Sequence, residues 1–148
     1  MALLIGKEID YMKIPQNTNT FTFYNANPKG KKTTDCVIRA ICTALNEDYE
    51  TTAKELLEFW LKSGYDMSDV KCFGKYLESK GWKKQKQPRK TDNTKYTGKE
   101  FVKHFKGTCL ANIGGHHIVC IKDGKVIDIW DSTEGCIGNY WIKEGDVI

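Results

Sequence analysis

The sequence has no apolar run that approaches the roughly 20 residues a helix needs to cross a bilayer. The apolar stretch at its start, residues 1–6, is too short for a signal peptide and leads directly into Lys7 and Glu8. These two absences argue against a membrane protein and a secreted one. We therefore expect a cytoplasmic protein.

Paired metal-binding cysteines are also absent, because no Cys-x-x-Cys spacing occurs in the chain. In a reducing compartment cysteines stay as free thiols, so no disulfide framework is expected. We expect neither a metal site nor a cofactor. The six thiols are Cys36, Cys42, Cys72, Cys109, Cys120 and Cys136.

A strong excess of charge of one sign is missing as well. The net charge of +4 is too small to identify a nucleic-acid partner. The one basic cluster, residues 83–90, is interpreted as a solvated connector rather than a contact for an acidic partner. With 148 residues, 40% of them apolar and 28% charged, the chain predicts one globular domain over residues 1–148.

Helical patterns fill the first part of the chain after a polar segment. Residues 1–20 show no sustained period and are interpreted as a tail, an arm or an edge strand, and 21–24 as a short strand. The helices are delimited by capping boxes, Ser68 and glycine stops. They are predicted at 36–45, at 50–63 with a capping box at Thr52–Glu55, between Ser68 and Gly81, and between Thr97 and Gly107.

From residue 108 the pattern changes to that of β-strands. Apolar, β-branched runs are bounded by Gly114-Gly115 and Asp123-Gly124. Helices followed by an antiparallel sheet predict an α+β fold. The predicted strands are 108–113, 117–121, 125–130 and 139–142.

Cys36 stands at the start of the first strong helix, directly after the N-cap types Thr33, Thr34 and Asp35. Unpaired backbone N–H groups and the positive end of the helix dipole favour a thiolate there, and the thiolate is the reactive form. The alternative is a buried cysteine in a core helix, which is how Cys42 is interpreted.

The C-terminal hairpin carries the other reactive groups. His116 and His117 open one strand, and Asp131 follows the partner strand. If Asp123-Gly124 is a two-residue type I′ turn, His116 pairs with Asp131. If the loop has three residues, His117 lies on the same side as Asp131. The turn chemistry leaves the two registers open.

The residues then show a resemblance. The Asp35-Cys36 pair that enters a helix, residues 117–121 and residues 129–132 are similar to the three blocks of papain-like cysteine peptidases. Within that family, the three segments of this chain are most similar to the bacterial peptidases that trim leader peptides from bacteriocins. In those enzymes a similar Asp-Cys pair opens the helix. Asp-Cys-Val-Ile-Arg-Ala-Ile together with Asp-x-Trp-Asp-Ser also resembles small proteins of phages and gut bacteria.

The resemblance implies a papain-like fold, a helical half packed on a C-terminal antiparallel sheet. It implies that Cys36 is the nucleophile, His117 the general base and Asp131 the residue that orients the imidazole. His116 and Asp128 are the alternative members of this triad. The chain departs from the family at position 30, where glycine replaces the glutamine that completes the oxyanion hole. Asn27 or a backbone N–H of the same loop is the candidate replacement.

The expected function is a cysteine-dependent amide hydrolase acting on a protein or peptide. Deamidation and transglutamination use the same acyl-enzyme and stay open. A different class of function is an inert papain-like accessory protein, of phage or bacterial origin, that acts by binding a host protein. Arg39 is interpreted as an ion-pair partner or a substrate-carboxylate ligand, and Trp130 and Trp141 as core or cleft-wall residues.

Overall fold

The computed structural model of the protein describes residues 14–145. Within that range the chain forms four helices and six strands, with the helices in the first two thirds and most of the sheet after them. In chain order they are β1 (Phe21–Phe23), α1 (Cys36–Leu45), α2 (Tyr49–Ser63), α3 (Val70–Ser79), β2 (Trp82–Gln85), α4 (Gly98–His104), β3 (Thr108–Ile113), β4 (His117–Lys122), β5 (Lys125–Asp128) and β6 (Ile137–Lys143).

The strands form one mixed sheet in the order β1-β5-β4-β3-β6-β2. The four strands β3 to β6 pair antiparallel, as the sequence predicts. The edge strand β1 instead runs parallel to β5, with Phe21 opposite Val126. The predicted α+β class is therefore confirmed, and the purely antiparallel sheet is wrong at this edge.

Each face of the sheet is covered by its own apolar cluster. On one face α4 packs Phe101, Val102 and Phe105 against β3 to β6. On the other face α1 and α3 pack around the fully buried Ile41 and Tyr76. The helix that begins with Cys36 is thereby held directly over β4.

The β4–β5 turn settles the register that the sequence left open. Asp123 and Gly124 both have positive φ, 53° and 75°, and Lys122 pairs directly with Lys125. This is the geometry of the two-residue type I′ turn, for which Asp-Gly is a strong signal.

Two local predictions are corrected. The start of the predicted connector 83–90 instead belongs to β2, because Lys84 pairs with Trp141 of β6 and the strand extends the sheet. In α2 the sequence pattern predicts one buried apolar face, but of its members Leu56 is buried and three are exposed, Leu61 by 75%. The predicted members are Ala53, Leu56, Leu57, Trp60 and Leu61.

The helix caps also differ in part from those predicted. Asp48 and Asp69, not Thr52 and Ser68, cap α2 and α3 through their carboxylates. The capping box of Thr97 is present as expected.

The predicted arm at residues 1–20 lies mostly outside the described residues. Between residues 14 and 145, no helix combines the length and the apolar character that a bilayer crossing requires.

Gly98 lets the start of α4 pack closely against β3 and against the loop that follows β5. A Cβ at this position would lie 2.8 Å from Ile113 Cδ1 and 3.2 Å from the backbone of Thr133. We expect Gly98→Ala to lower the free energy of unfolding by about 1–3 kcal/mol, the usual cost of overpacking.

Gly74→Ala is the matched control. Its Cβ would meet only Val70 at 3.6 Å, an ordinary contact inside a helix, and the change should stabilise by about 0.5–1 kcal/mol. Urea unfolding of the two variants measures both changes in the free energy of unfolding, the expected decrease and the expected increase. A Gly98→Ala protein as stable as the wild type would contradict the packing described.

Candidate active site

Cys36 is the first residue of α1, and Asp35 occupies the N-cap position. The first N–H groups of a helix have no partner within the helix, so the Cys36 N–H points away from the helix's own hydrogen-bond ladder. The side chain is half-buried and packs at the edge of the cluster formed by α1 and α3. The Cys36 sulfur is thus at a helix start and still partly accessible.

His117, the first residue of β4, meets this sulfur. The imidazole and the backbone N–H of Ile118 lie close enough to the Cys36 sulfur to lower the pKa of its thiol, and Cys36 in turn raises the pKa of His117. The ring's Nε2 lies 2.5 Å from Asp128 Oδ2. Because an ionised carboxylate only accepts, Nε2 carries a proton and Nδ1 is left to face the sulfur.

Asp128, the last residue of β5, is the acid behind the ring. Its carboxylate is 1% exposed, so its charge depends on protein donors rather than on water. Four groups donate to its two oxygens and fix it in place. They are His117 Nε2 at 2.5 Å, Arg39 Nη1 at 3.1 Å, the Ile129 backbone N–H at 2.7 Å and Ser132 Oγ at 3.1 Å.

Arg39 connects this acid to the helix that carries Cys36. Its Nε donates to Asp35 Oδ1 at 2.7 Å while Nη1 reaches Asp128, and the guanidinium is buried. Asp35 also accepts from Tyr49 Oη at 2.7 Å and Asn27 Nδ2 at 3.2 Å. The predicted ion-pair role of Arg39 is therefore present, and Asp35 pairs with an arginine instead of capping the helix.

The electrostatics of the site favour a thiolate–imidazolium pair. Burial opposes ionisation of Cys36, but hydrogen bonds from His117 and Ile118 and the positive charges of His117 and Arg39 outweigh it, so the Cys36 pKa is lowered from 9.0. Burial likewise disfavours the imidazolium, but Asp128 and Cys36 raise the pKa of His117 to about 9. Both shifts stabilise the charged pair at neutral pH.

The structure corrects the predicted position of the acid. Asp131 accepts from the backbone N–H of Thr133 at 3.0 Å and from its hydroxyl at 2.6 Å, which is the geometry of a loop turn. Asp128, named only as an alternative, lies behind His117 instead. The hairpin register explains this, because β5 leaves the ladder after Asp128, before Asp131 can pair across the hairpin.

Two further candidates lie away from the reactive sulfur. His116 is exposed in the turn before β4 and borders a groove with Asn139 and Trp141. The amide of Asn27, expected at the oxyanion hole, donates to Asp35. The Cys36 backbone N–H is therefore the one oxyanion donor that the helix geometry itself supplies.

The two tryptophans have different surroundings. Trp130 is 51% exposed, and its ring centroid lies 5.2 Å from that of His117, so it shields one side of the imidazole. Trp141 is buried and packs edge-on against Phe73 at 5.4 Å.

Ser132 is a member of the site that the sequence patterns did not indicate, although its hydroxyl donates to Asp128.

In the range 14–145, no group of three or more histidine, cysteine or acidic side chains is arranged to hold a metal ion.

Comparisons with protein-family models, with curated proteins and with solved structures found no significant match to this chain. The geometry of Cys36, His117 and Asp128 is therefore the basis of any functional conclusion.

Because Asp128 and not Asp131 pairs with His117, we expect only the charge of Asp128 to affect the reactivity of Cys36. Asp128→Asn removes the charge that stabilises the imidazolium, so the pKa of Cys36 should rise toward 9.0. At about pH 6 iodoacetamide should then alkylate Cys36 about tenfold more slowly, the effect of one pKa unit on the thiolate fraction. In the wild type the rate should rise with pH through the lowered Cys36 pKa.

Asp131→Asn makes the same change in charge three residues away and is the matched control. It should leave the alkylation rate of Cys36 unchanged. Exposed Cys136 gives an internal reference in each digest. Equal effects of the two substitutions would contradict the assignment of Asp128.

Proposed function

We propose that the protein is a cysteine-dependent amide hydrolase with a papain-like arrangement of nucleophile and base. The observation that carries this proposal is the contact of Cys36 at a helix start with His117, with Asp128 behind the ring. A nucleophile, a base within hydrogen-bond reach and a third group that orients the base form the general pattern of covalent catalysis.

In the first half of the proposed reaction the Cys36 thiolate attacks a peptide or isopeptide carbonyl. The resulting oxyanion lies at the helix start, where the Cys36 N–H donates to it. As the C–N bond breaks, the amine leaves with the proton from His117 Nδ1, and a thioester remains on Cys36.

In the second half His117, now neutral, takes a proton from water as its oxygen attacks the thioester. The C–S bond breaks, the acid product leaves and the thiolate–imidazolium pair is restored. Asp128 keeps Nε2 protonated in both halves, so Nδ1 is always the nitrogen that exchanges the proton. An amine in place of water would give a transglutaminase, and a glutamine side-chain amide as substrate would give a deamidase.

A binding function is the second candidate. It is favoured by the apolar stripe that α2 exposes at helical spacing, because contiguous exposed apolar surface often marks a protein-interaction site. Its members are Leu57, Trp60 and Leu61, exposed by 45%, 39% and 75%. In this alternative the same fold acts as an accessory protein and Cys36 completes no turnover.

Turnover of an acyl-enzyme distinguishes the two functions without a known substrate. With p-nitrophenyl acetate, any reactive thiolate can be acylated, but release of acetate at a useful rate needs a positioned base. We expect steady hydrolysis by the wild type and none at this site by Cys36→Ala. His117→Ala should slow deacylation by about 10²–10⁴-fold, the usual contribution of general base catalysis.

His104→Ala is the matched control and should behave like the wild type, because His104 is exposed at the end of α4, on the other face of the sheet from α1. Intact mass measures the acyl-enzyme, and nitrophenolate release measures turnover. If acetylated Cys36 accumulates in the wild type and is not hydrolysed, the hydrolase proposal is contradicted and the binding function is favoured.

A further inference from the structure

A groove of about 250 Å³ opens on one side of the β4 strand that carries His117. Trp130 follows β5 and shields the ring on the other side of that strand. The groove lies between the N-terminal end of α3 and the strands β2, β3, β4 and β6.

The groove is lined by His116 and Ile118, the two neighbours of His117 in the chain. Ile118 lines the groove, and its backbone N–H is one of the groups that lower the pKa of Cys36. Trp141 and Phe73, which also line it, belong to the apolar cluster against which Cys36 packs. A substrate bound at Cys36 can therefore extend into the groove from its reacting carbon.

The chemistry of the groove favours a negative side chain. Lys84 is exposed and lines it, and Asn139 and His116 offer further polar groups at its rim. Of the residues described, none that lines this groove is acidic. The walls thus combine apolar surface for a side-chain stem with a positive charge for its tip.

The direction of the substrate follows from the proton transfer. The leaving amine receives its proton from His117 and so departs beside the ring that Trp130 shields. The acyl part stays attached to Cys36, and an acyl chain directed away from Trp130 would extend past Ile118 toward β3 and β6. The groove is therefore on the acyl side of the scissile amide.

We propose that this groove binds the carboxylate side chain of a substrate residue on the acyl side, and that Lys84 determines this specificity. The proposal rests on the hydrolase function of Cys36. It narrows the substrate class to peptides with glutamate or aspartate at one of the two positions before the scissile bond.

Peptidyl acyloxymethyl ketones test this directly. The Cys36 thiolate displaces the carboxylate of such a probe, so that a thioether C–S bond forms as the C–O bond breaks. Matched acetyl-dipeptide probes carry glutamate, glutamine or lysine at the first or second position before the ketone. Rates of Cys36 labelling are measured by intact mass.

For the wild type we expect the glutamate probe to react about fivefold faster than the glutamine probe at one of the positions, as for one exposed ion pair. Lys84→Glu should remove that preference and favour the lysine probe instead. High salt should weaken both effects, because exposed charges are screened.

Lys83→Glu is the matched control. Lys83 is the preceding residue of β2 and lies opposite Ile142, so its side chain is on the other face of the sheet from Lys84. It should keep the wild-type preference. Equal rates for the glutamate and lysine probes, or a glutamate preference that survives Lys84→Glu, would overturn the proposal.

The test of charge preference in the groove can succeed or fail independently of the turnover test of the hydrolase function. The preference is a ratio of rates at one sulfur, and at alkaline pH it can be measured even if Cys36 has no special reactivity. Acyl-enzyme turnover with no charge preference overturns the groove assignment alone. A charge preference with no turnover supports the groove as a peptide-binding site and rejects the hydrolase.

Discussion

The buried carboxylate of Asp128 is the constraint on which the candidate site depends. It accepts from the imidazole of His117 on one oxygen and from Arg39 on the other, so it has no freedom to rotate. Arg39 in turn is held by Asp35, which precedes Cys36 in the chain. A single chain of alternating charges thus connects the helix start to the sheet, and loss of one member of such a buried network usually costs about 3–5 kcal/mol.

The sequence identifies part of this site and misplaces the rest. Cys36 and His117 were predicted from a helix start and a strand start, and the structure brings them together. Asp131, which the resemblance implied, is wrong because β5 ends at Asp128 and Asp131 belongs to the following loop. In the type I′ register, side-chain alternation places Asp128 on the side of His117, so the Asp-Gly turn already contained this information. The role of Ser132 had no such local signal.

In the fold as well, elements that depend on neighbouring residues could be predicted, and pairings between distant strands could not. Helix boundaries and the strands β3 and β4 follow from periodicity and glycine stops and lie close to the predicted bounds, whereas β5 ends at Asp128 instead of residue 130. The strand β2 is rich in lysine and was missed, because its pairing with β6 depends on residues more than fifty positions away. The strand β1 was predicted at 21–24 and is present, but its parallel pairing with β5 was not predicted, because the partner lies near the other end of the chain.

Ultraviolet titration of the Cys36 thiolate shows whether its neighbours stabilise the ionised sulfur. The absorbance difference between the wild type and Cys36→Ser isolates one thiolate among six cysteines. We expect a midpoint clearly below 9.0 in the wild type and an upward shift on His117→Ala or Arg39→Met, because the lost charges stabilise the thiolate. A midpoint at or above 9.0 that neither substitution moves would show that Cys36 is not activated by His117 and Arg39.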